Sequence, residues 1–205
     1  MSVAMLIGLW IADELSFNQY HKNYATVAQL ARREGVNGTI HVADNSNNFP
    51  IPLAEELRTN YGNLFQHVAI ASSKGEHLIA FDEKKFSSLG MFVEPEFTEA
   101  FTLKLIAGSF TSFKDPHTIL VRESLARALF GNQDAIGKTL LLDGTQSVKI
   151  AGVFEDLPLN AKYSDLSFFC AFSLLMSSNT NVKTLVNDWP NSSFWIFVQA
   201  TPPIS

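Results

Sequence analysis

The sequence predicts an α+β fold arranged in two lobes. Segments with strand character and segments with helical periodicity occur near both ends of the 205-residue chain, whereas its middle is rich in hairpin signals. A chain that segregates its strands and helices in this way is typical of the α+β class. Its length allows a sizeable hydrophobic core, either in one domain or in two small lobes.

The composition excludes some classes of function. A formal net charge of −5 and a pI near 5.5 argue against a nucleic-acid-binding protein, which would usually carry a basic stripe. The 17 phenylalanines indicate aromatic core packing. A single cysteine, Cys170, excludes an intrachain disulfide and a cysteine-cluster metal site. Because Cys170 lies in the apolar run 168–172, we expect a buried, unreactive thiol.

A charge-free apolar run of ten residues, Val3 to Ala12, opens the chain. A membrane-spanning helix needs about 20 such residues, so this run cannot cross a bilayer alone. It lacks the basic start and the cleavage site of a signal peptide. It is therefore either a buried helix or the end of a longer transmembrane helix. Trp10, followed by Asp13 and Glu14, favours a helix that leaves the membrane interface.

The next hundred residues predict alternating strands and helices. In order, we expect a strand over 26–31, a polar loop over 34–48, a helix, a strand over 65–72, and a strand over 77–81 after a turn at Gly75. The helix begins at Pro50-Ile51-Pro52, because proline is tolerated in a first helical turn. Leu53, Leu57 and Tyr61 give it an apolar face.

Three carboxylates, Glu94, Glu96 and Glu99, could suggest general acid–base chemistry. No nucleophile or base accompanies them in the sequence. We therefore interpret them as solvated charges near a helix N-terminus.

Residues 118–161 form the best-defined stretch. A β-branched strand over 118–121 precedes a helix over 123–130, with Leu125, Ala128 and Leu129 on its apolar face. Gly131 is expected to end this helix, and Asp143-Gly144 to turn a hairpin.

The segment from Gly131 to Thr139 resembles a phosphate-binding loop only superficially. Five residues separate its glycines, where that motif requires four. The segment also follows a helix, whereas a phosphate-binding loop follows a strand and opens a helix. We interpret it as a turn from a helix into a strand.

The last third predicts an apolar strand over 166–172, a short helix over 173–178, a polar loop over 177–181 and an aromatic C-terminal strand. The five histidines are dispersed, and no GxSxG, HExxH or Cys–His pattern of a hydrolase is present. His21 has no partner at metal-ligand spacing, so we expect a polar side chain at a helix end.

Four segments, in order, resemble the MacB-type periplasmic core domain. This is the extracytoplasmic domain of MacB/FtsX-like ABC transporter permeases, especially the large permeases of Bacteroidota. The segments are DELSFNQYHKN (13–23), FVEPEFTEAF (92–101), the group ILVRESLARALFG, AIGKTL and KIAGVFEDLPLNA (119–161), and DWPNSSFWIFV (188–198). The chain departs from the family pattern at Thr98, where a second Phe is usual, and at Ala161-Lys162-Tyr163, where Ser-His-Leu is frequent.

The resemblance implies a specific domain organisation. Residues 1–23 would be the end of the first transmembrane helix and a stalk. Residues 24–75 and 163–201 would form an α/β, porter-like lobe, and residues 76–162 a β-rich inserted lobe.

The resemblance also implies a function without catalysis in this domain. ATP bound by a separate ABC ATPase would move the membrane helices, and the stalk would pass that motion to the periplasmic domain for export, extraction or signalling. The coupling candidates are Asp13, Glu14, Phe17, Tyr20 and His21. The resemblance implies no catalytic residue, metal or cofactor in this domain, which would lie on the periplasmic side of the inner membrane.

The implied partners are the ABC ATPase, a second permease copy in a dimer, the membrane through flanking helices, and a periplasmic or outer-membrane protein. No nucleic acid is implied. An alternative is an extracytoplasmic sensor or ligand-binding module, which would need a concave pocket with convergent polar groups. The sequence shows no such cluster.

Overall fold

The structure is a computed structural model that describes residues 17–36, 39–42 and 47–201, with side chains not described for 34–36 and 39–42. The predicted membrane-helix end over residues 1–12 lies outside the described residues, as do Asp13 and Glu14. Within the described ranges, no helix is long and apolar enough to cross a membrane.

The described chain alternates strands with short helices. The strands are β1 (Val27–Gln29), β2 (Arg33–Val36), β3 (Thr39–Val42), β4 (Phe65–Ala71), β5 (Gly75–Phe81), β6 (Lys84–Val93), β7 (Leu105–Gly108), β8 (Thr118–Arg122), β9 (Thr139–Leu142), β10 (Gln146–Phe154), β11 (Phe168–Ala171) and β12 (Trp195–Ala200). The α-helices are α1 (Ile51–Tyr61), α2 (Pro95–Ala100), α3 (Glu123–Phe130), α4 (Phe172–Ser178) and α5 (Thr180–Thr184), and two 3₁₀ turns cover Ser112–Lys114 and Leu185–Asn187.

One mixed sheet organises the domain. Its strand order is β1-β12-β4-β6-β11-β8-β10-β9-β5, with β7 paired to β10 and β5 paired also to β6. Because β5 pairs with both β9 and β6, the strands β6, β11, β8, β10, β9 and β5 form a closed circuit. The pairs β6–β11 and β8–β10 are parallel. Strands β2 and β3 form a separate hairpin.

Both faces of the sheet are apolar, and each face belongs to its own core. Along β8, Ile119 and Val121 lie in one buried cluster and Leu120 lies in the other, as the two-residue period of a strand requires. Helices α1, α3 and α4 contribute to the first cluster. Helix α2 contributes Phe97 and Ala100 to the second. A sheet covered on both faces explains why so many strands are continuously apolar.

Local signals in the sequence predicted several elements correctly. Helix α1 begins at Ile51 directly after Pro50. Helix α3 covers residues 123–130 and ends at Gly131, whose φ is 63°. Asp143 and Gly144 both have positive φ and turn the β9–β10 hairpin. Cys170 is buried as expected.

Three local predictions were wrong. The expected loop over 34–48 contains most of the β2–β3 hairpin. The expected loop over 177–181 includes the start of α5, because the Asn179 side chain accepts hydrogen bonds from Asn181 N and Val182 N and caps a new helix. On α3 the buried alanine is Ala126, whereas Ala128 is exposed.

The predicted lobes share one sheet. Strand β6, which belongs to the expected inserted lobe, pairs with β4 and β11 of the expected α/β lobe. The division into two lobes at residues 75 and 163 stays a prediction.

Candidate functional site

The segment from Phe17 to Thr26, called here the stalk segment, runs in successive turns into β1. It is fastened to the loop after β10: Asn18 N donates to Asn160 O at 2.9 Å, and Lys162 N donates to Asn18 Oδ1 at 2.6 Å. It is also fastened to the end of α2, where Lys22 N donates to Thr102 Oγ1 at 3.0 Å. The stalk segment therefore contacts two loops that are far apart in the sequence.

His21 is the buried centre of this junction, with only 3% of its surface exposed. Its Nδ1 is hydrogen-bonded to the carbonyl oxygen of Phe101, so Nδ1 carries the proton. Its ring meets the rings of Tyr20 and Phe101 edge-on, at 5.3 and 5.4 Å between centroids. Burial lowers the pKa of His21, although the carbonyls of Phe101 and Lys162 oppose that shift. The expectation of a polar residue at a helix end was wrong, since His21 lies in a turn and packs inward.

Tyr20 reaches the same loop after β10 by a different contact. Its hydroxyl donates to Glu155 Oε2 at 3.0 Å. Lys104 Nζ lies 4.7 Å from the Tyr20 ring centroid and 3.5 Å from Glu155 Oε2. Burial, followed by the hydrogen bond to Glu155, raises the pKa of Tyr20 to about 12. Phe17, by contrast, is 49% exposed.

A small cavity of about 90 Å³ lies beneath the stalk segment, between Asn18, His21, Gln29 and Lys162. Lys162 Nζ donates to Gln29 Oε1 at 2.9 Å. Burial, and then the charge of Lys74, lower the pKa of Lys162. Tyr24, Val27, Ala100, Phe101 and Phe197 complete the lining, so these few polar groups lie in a mainly apolar cavity beneath the stalk segment.

The sequence suggested Phe17, Tyr20 and His21 as coupling candidates, which stays a prediction, and gave no sign of the residues that hold the stalk segment against the domain. Asn18 was missed although its φ of 62° is one that asparagine tolerates well in turns. The contacts of Asn18 with Asn160 and Lys162, and of Lys22 with Thr102, join residues that are far apart in the sequence. No local pattern could have indicated these pairs.

Glu94 corrects the interpretation of the carboxylates as solvated charges. Only 22% of its side chain is exposed, and it forms an ion pair with Arg58. It also accepts a hydrogen bond from Ile70 N at 2.8 Å. Burial raises the pKa of Glu94 despite the adjacent Arg58 charge. Burial thus favours the neutral form of this carboxyl group, whereas Arg58 and the Ile70 amide favour its charged form.

The Arg58–Glu94 pair lies in a cleft of about 730 Å³. Apolar side chains from α1, α4 and the second 3₁₀ turn form much of its wall, namely Ile51, Pro52, Phe172, Met176 and Val186. A cleft of this size with a few polar groups has the form of a small-molecule site. The sequence did not predict it, because α1 and α4 are far apart along the chain.

Other sequence-based candidates are not assembled into sites. The segment from Gly131 to Thr139 connects α3 to β9, as predicted for a turn from a helix into a strand. Among the residues that the structure describes, no group of three or more His, Cys, Asp or Glu side chains could hold a metal ion.

Comparison with known protein families shows to which family the chain belongs. A family model described as the MacB-like periplasmic core domain matches residues 1–205. The chain belongs to this family. This confirms the resemblance that the four sequence segments carry. Domains of this family are the periplasmic domains of MacB-like ABC transporter permeases.

Three solved structures share the fold. A domain from Porphyromonas gingivalis assigned to a permease protein superposes with a TM-score of 0.68 at 21% identity, over 90% of this chain and 77% of that one. The periplasmic region of MacB from Actinobacillus actinomycetemcomitans gives a TM-score of 0.61 at 16% identity, over 88% and 77%.

The extracellular domain of the ABC-type transporter YknZ from Gram-positive bacteria gives a TM-score of 0.56 at 15% identity, over 86% of this chain and 83% of that one. At these identities the three structures show a shared fold, which confirms the predicted mixture of helices and strands. Comparison with curated proteins finds no match.

Proposed function

We propose that this MacB-like periplasmic core domain couples ATP-driven motion of permease membrane helices to work in the periplasm. The observation that carries the proposal is the docked stalk segment. Hydrogen bonds from Asn18, Tyr20 and Lys22 tie it to two loops of the domain. A helix that moved the stalk segment would therefore move the whole sheet.

The geometry favours rigid coupling. A typical hydrogen bond stabilises a folded protein by about 0.5–1.5 kcal/mol net, and burial of His21 adds packing to the polar contacts. One contacted loop leads into β7, and the other follows β10, which pairs with β7. Motion thus passes directly into the sheet, as in rigid-body transitions of domains.

The proposal includes the wider assembly. The permease would sit in the inner membrane, with this domain in the periplasm and ATP bound by a separate ABC ATPase. A second permease copy would supply a paired domain, and the output would be export, extraction of a lipoprotein or signalling to a periplasmic or outer-membrane partner. The family membership supports this arrangement.

Rigid coupling can be tested by locking and by loosening the junction in the permease with its ATPase. The disulfide between Asn18→Cys and Asn160→Cys is formed first, and a spin label is then attached at Leu78→Cys of each copy in the same assembly. The ATP-dependent change in the distance between the two labels, measured by pulsed electron resonance, should be preserved. Asn18→Ala combined with His21→Ala should keep ATP hydrolysis but reduce that distance change. If the disulfide abolished the change and the loosened variant kept it, the stalk segment would work by undocking, and rigid coupling would be wrong.

The flanking sequence of the encoding gene provides a simpler check. An apolar helix of about 20 residues should end near Ala12, and another should begin shortly after Ser205. Absence of both would overturn the permease proposal and leave the sensor as the leading function.

The cleft at Arg58 and Glu94 supports ligand sensing as a second candidate. A ligand that binds there should raise the melting temperature of the chain, since ligands that prefer the folded state stabilise it. Arg58→Ala should remove the shift, whereas Tyr61→Ala on the same helix, which does not line the cleft, should keep it. Equal shifts in both variants would place the ligand elsewhere.

A further inference from the structure

The C-terminal end of the described chain lies beside the junction of the stalk segment with β1, at a pole of the domain called here the terminal pole. Ala200 N donates to Thr26 O at 2.9 Å, and Thr201 N donates to Leu64 O at 2.9 Å. The start of β1, the end of β12 and the start of β4 therefore lie side by side.

Large apolar side chains are exposed at this pole, along the stalk segment that leads to it, and on the turn that holds Asn18. About half of the surface of four of them is open to solvent, and 94% of Leu159 is. These residues are Phe17, Tyr24, Tyr61, Leu64 and Leu159. Asn18 N donates to Asn160 O beside Phe17 and Leu159, and Leu64 N donates to Tyr61 O. Asn18 and Tyr24 line the same small cavity, so the turn that carries Leu159 lies close to the stalk segment near the pole.

Leu159 lies at the tip of a tight turn. Ala161 N donates to Pro158 O at 2.8 Å, and the next residue, Asn160, is held by Asn18. Single exposed leucines are common on soluble domains. Leu159 differs because it is almost fully exposed on a fixed turn, directly beside the exposed Phe17.

The sequence before Phe17 indicates what this surface meets. The charge-free run from Val3 to Ala12, with Trp10 near its end, is typical of a segment in lipid and at its interface. The run ends only five residues before Phe17. Five extended residues span at most about 18 Å, so a bilayer that held this run would lie within that reach of Phe17 and of the neighbouring 157–161 turn.

We infer that Leu159 and Phe17 insert into the interfacial region of the phospholipid bilayer, so that the 157–161 turn is a second membrane contact beside the stalk. This inference rests on the proposed function, because it requires the terminal pole to face the membrane. The turn also carries the carbonyl that holds Asn18. Lipid contact would thus fix the angle at which the stalk segment enters the domain.

The contact depends on apolar burial. Asp13 and Glu14 precede Phe17 in sequence, and the exposed Asp156 precedes the turn. Two lysines also lie near the contact, the exposed Lys22 of the stalk segment and Lys162 after the turn, so the acidic side chains outnumber the basic ones. These acidic side chains would not be attracted to anionic headgroups. Insertion should therefore occur equally well in zwitterionic lipid, which separates it from binding through a basic patch.

The test uses the 205-residue chain with phosphatidylcholine vesicles. An environment-sensitive fluorophore is attached at Leu159→Cys, and in a control at Leu78→Cys. Cys170 is completely buried, and burial raises its thiol pKa, so it should not take the label. Leu78 is also exposed, and it is far from the terminal pole. It pairs with Ser87 of β6, and β6 pairs with β4 six residues further on, at Val93. Strand β4 then runs from Ala71 back to the terminal pole. Leu78 therefore lies roughly 40 Å along the strands from the terminal pole.

The label at position 159 should shift to shorter emission wavelengths on vesicles and be quenched by lipids brominated at a shallow acyl position. The label at position 78 should show neither effect, and added anionic lipid should not strengthen the signal at 159. Leu159→Ser should leave the melting temperature unchanged, because the side chain makes little contact with the fold.

Two other outcomes separate the inference from the function beneath it. If the chain floats with the vesicles but the label at 159 is as unquenched as that at 78, the second membrane contact is absent and the proposed function stands. If the chain does not float with the vesicles, the terminal pole makes no lipid contact and the inference is overturned, whereas the proposed function is decided separately by the distance measurements in the permease with its ATPase.

Discussion

Gly90 on β6 pairs with Phe168 on β11, and the phenylalanine ring covers the glycine. A Cβ at position 90 would lie 2.1 Å from Phe168 Cζ, far inside van der Waals contact. Phe168 is fully buried, and His77 of β5 packs edge-on against it at 5.7 Å between ring centroids. An aromatic ring over a strand glycine thus lies where β5, β6 and β11 of the closed circuit meet.

Gly90→Ala should therefore destabilise the fold. The added methyl group must displace a ring that has no free space, and overpacking of this kind typically costs about 1–3 kcal/mol. The free energy of unfolding from urea titration measures the loss. In a Phe168→Leu background the same substitution should cost less, because the ring is gone. Equal costs in the two backgrounds would show that the glycine is required by the backbone and not by the ring.

His21 should make the stability of the domain depend on pH. Its folded-state pKa is lowered, chiefly by burial, so the unfolded chain binds a proton more readily than the folded one. Stability is then complete above the unfolded pKa of about 6.5 and is lost as the pH falls toward the folded pKa. The free energy of unfolding measured between pH 7.5 and 5.5 should decline in the native sequence.

His21→Gln is the matched variant, because an amide can still donate to the Phe101 carbonyl. It should lower stability at pH 7.5 but flatten the decline toward pH 5.5. His117→Gln, outside the junction, is the control and should keep the native slope. A slope that is unchanged in His21→Gln would place the titrating group elsewhere.

Arg58 and Glu94 should respond unequally to substitution. Arg58→Ala leaves a largely buried carboxylate with only the Ile70 amide as partner, which we expect to cost about 1–2 kcal/mol, less than for a fully buried pair. Glu94→Gln leaves an arginine that still donates to Val68 O at 3.0 Å and reaches solvent, so it should cost less. Denaturant unfolding of both single variants and of the double variant measures the order.

Acid should reduce the defect of Arg58→Ala. The folded-state pKa of Glu94 is already raised by burial, and loss of the arginine removes a cause that opposes this. The folded state then takes up a proton before the unfolded state does, so its stability deficit shrinks as the pH falls. A deficit that grew in acid would mean that the carboxylate is solvated.

What the sequence predicted well is local in origin. Pro50 at a helix start, Gly131 at a helix end and Asp143-Gly144 in a hairpin each act through the φ angles of one or two residues. The wrong prediction that Ala128, and not Ala126, is the buried alanine of α3 has a different cause. The two positions lie about 200° apart around the helix, and a short helix does not by itself show which side faces the core.

The less predictable features depend on pairs that are distant in sequence. Glu94 was expected in solvent because no nucleophile or base accompanies it in the sequence, yet Arg58 and the end of β4 enclose it. His21 was expected at a helix end, yet Phe101 buries it. The family resemblance predicted a stalk, which stays a prediction, and gave no information on Asn160 or Lys162, which are hydrogen-bonded to Asn18.

Tyr20 should stabilise the folded protein at neutral pH and lose this contribution in alkaline solution. Its pKa is raised to about 12, first by burial and then by Glu155, so the stability it contributes is present below about pH 10 and is lost as the pH rises through its folded pKa. Tyr20→Phe removes the hydrogen bond to Glu155, which should cost about 0.5–1 kcal/mol at pH 8 since the pair is partly exposed. It should also remove part of the alkaline decline between pH 10 and 12, followed by urea unfolding at each pH. Tyr24→Phe, whose side chain is more exposed, is the control and should keep the native decline.

The hydrogen bond itself is tested by adding Glu155→Gln. If the free-energy costs of the two substitutions were fully additive, Tyr20 and Glu155 would not be coupled, and the tyrosine would contribute to the junction through packing alone.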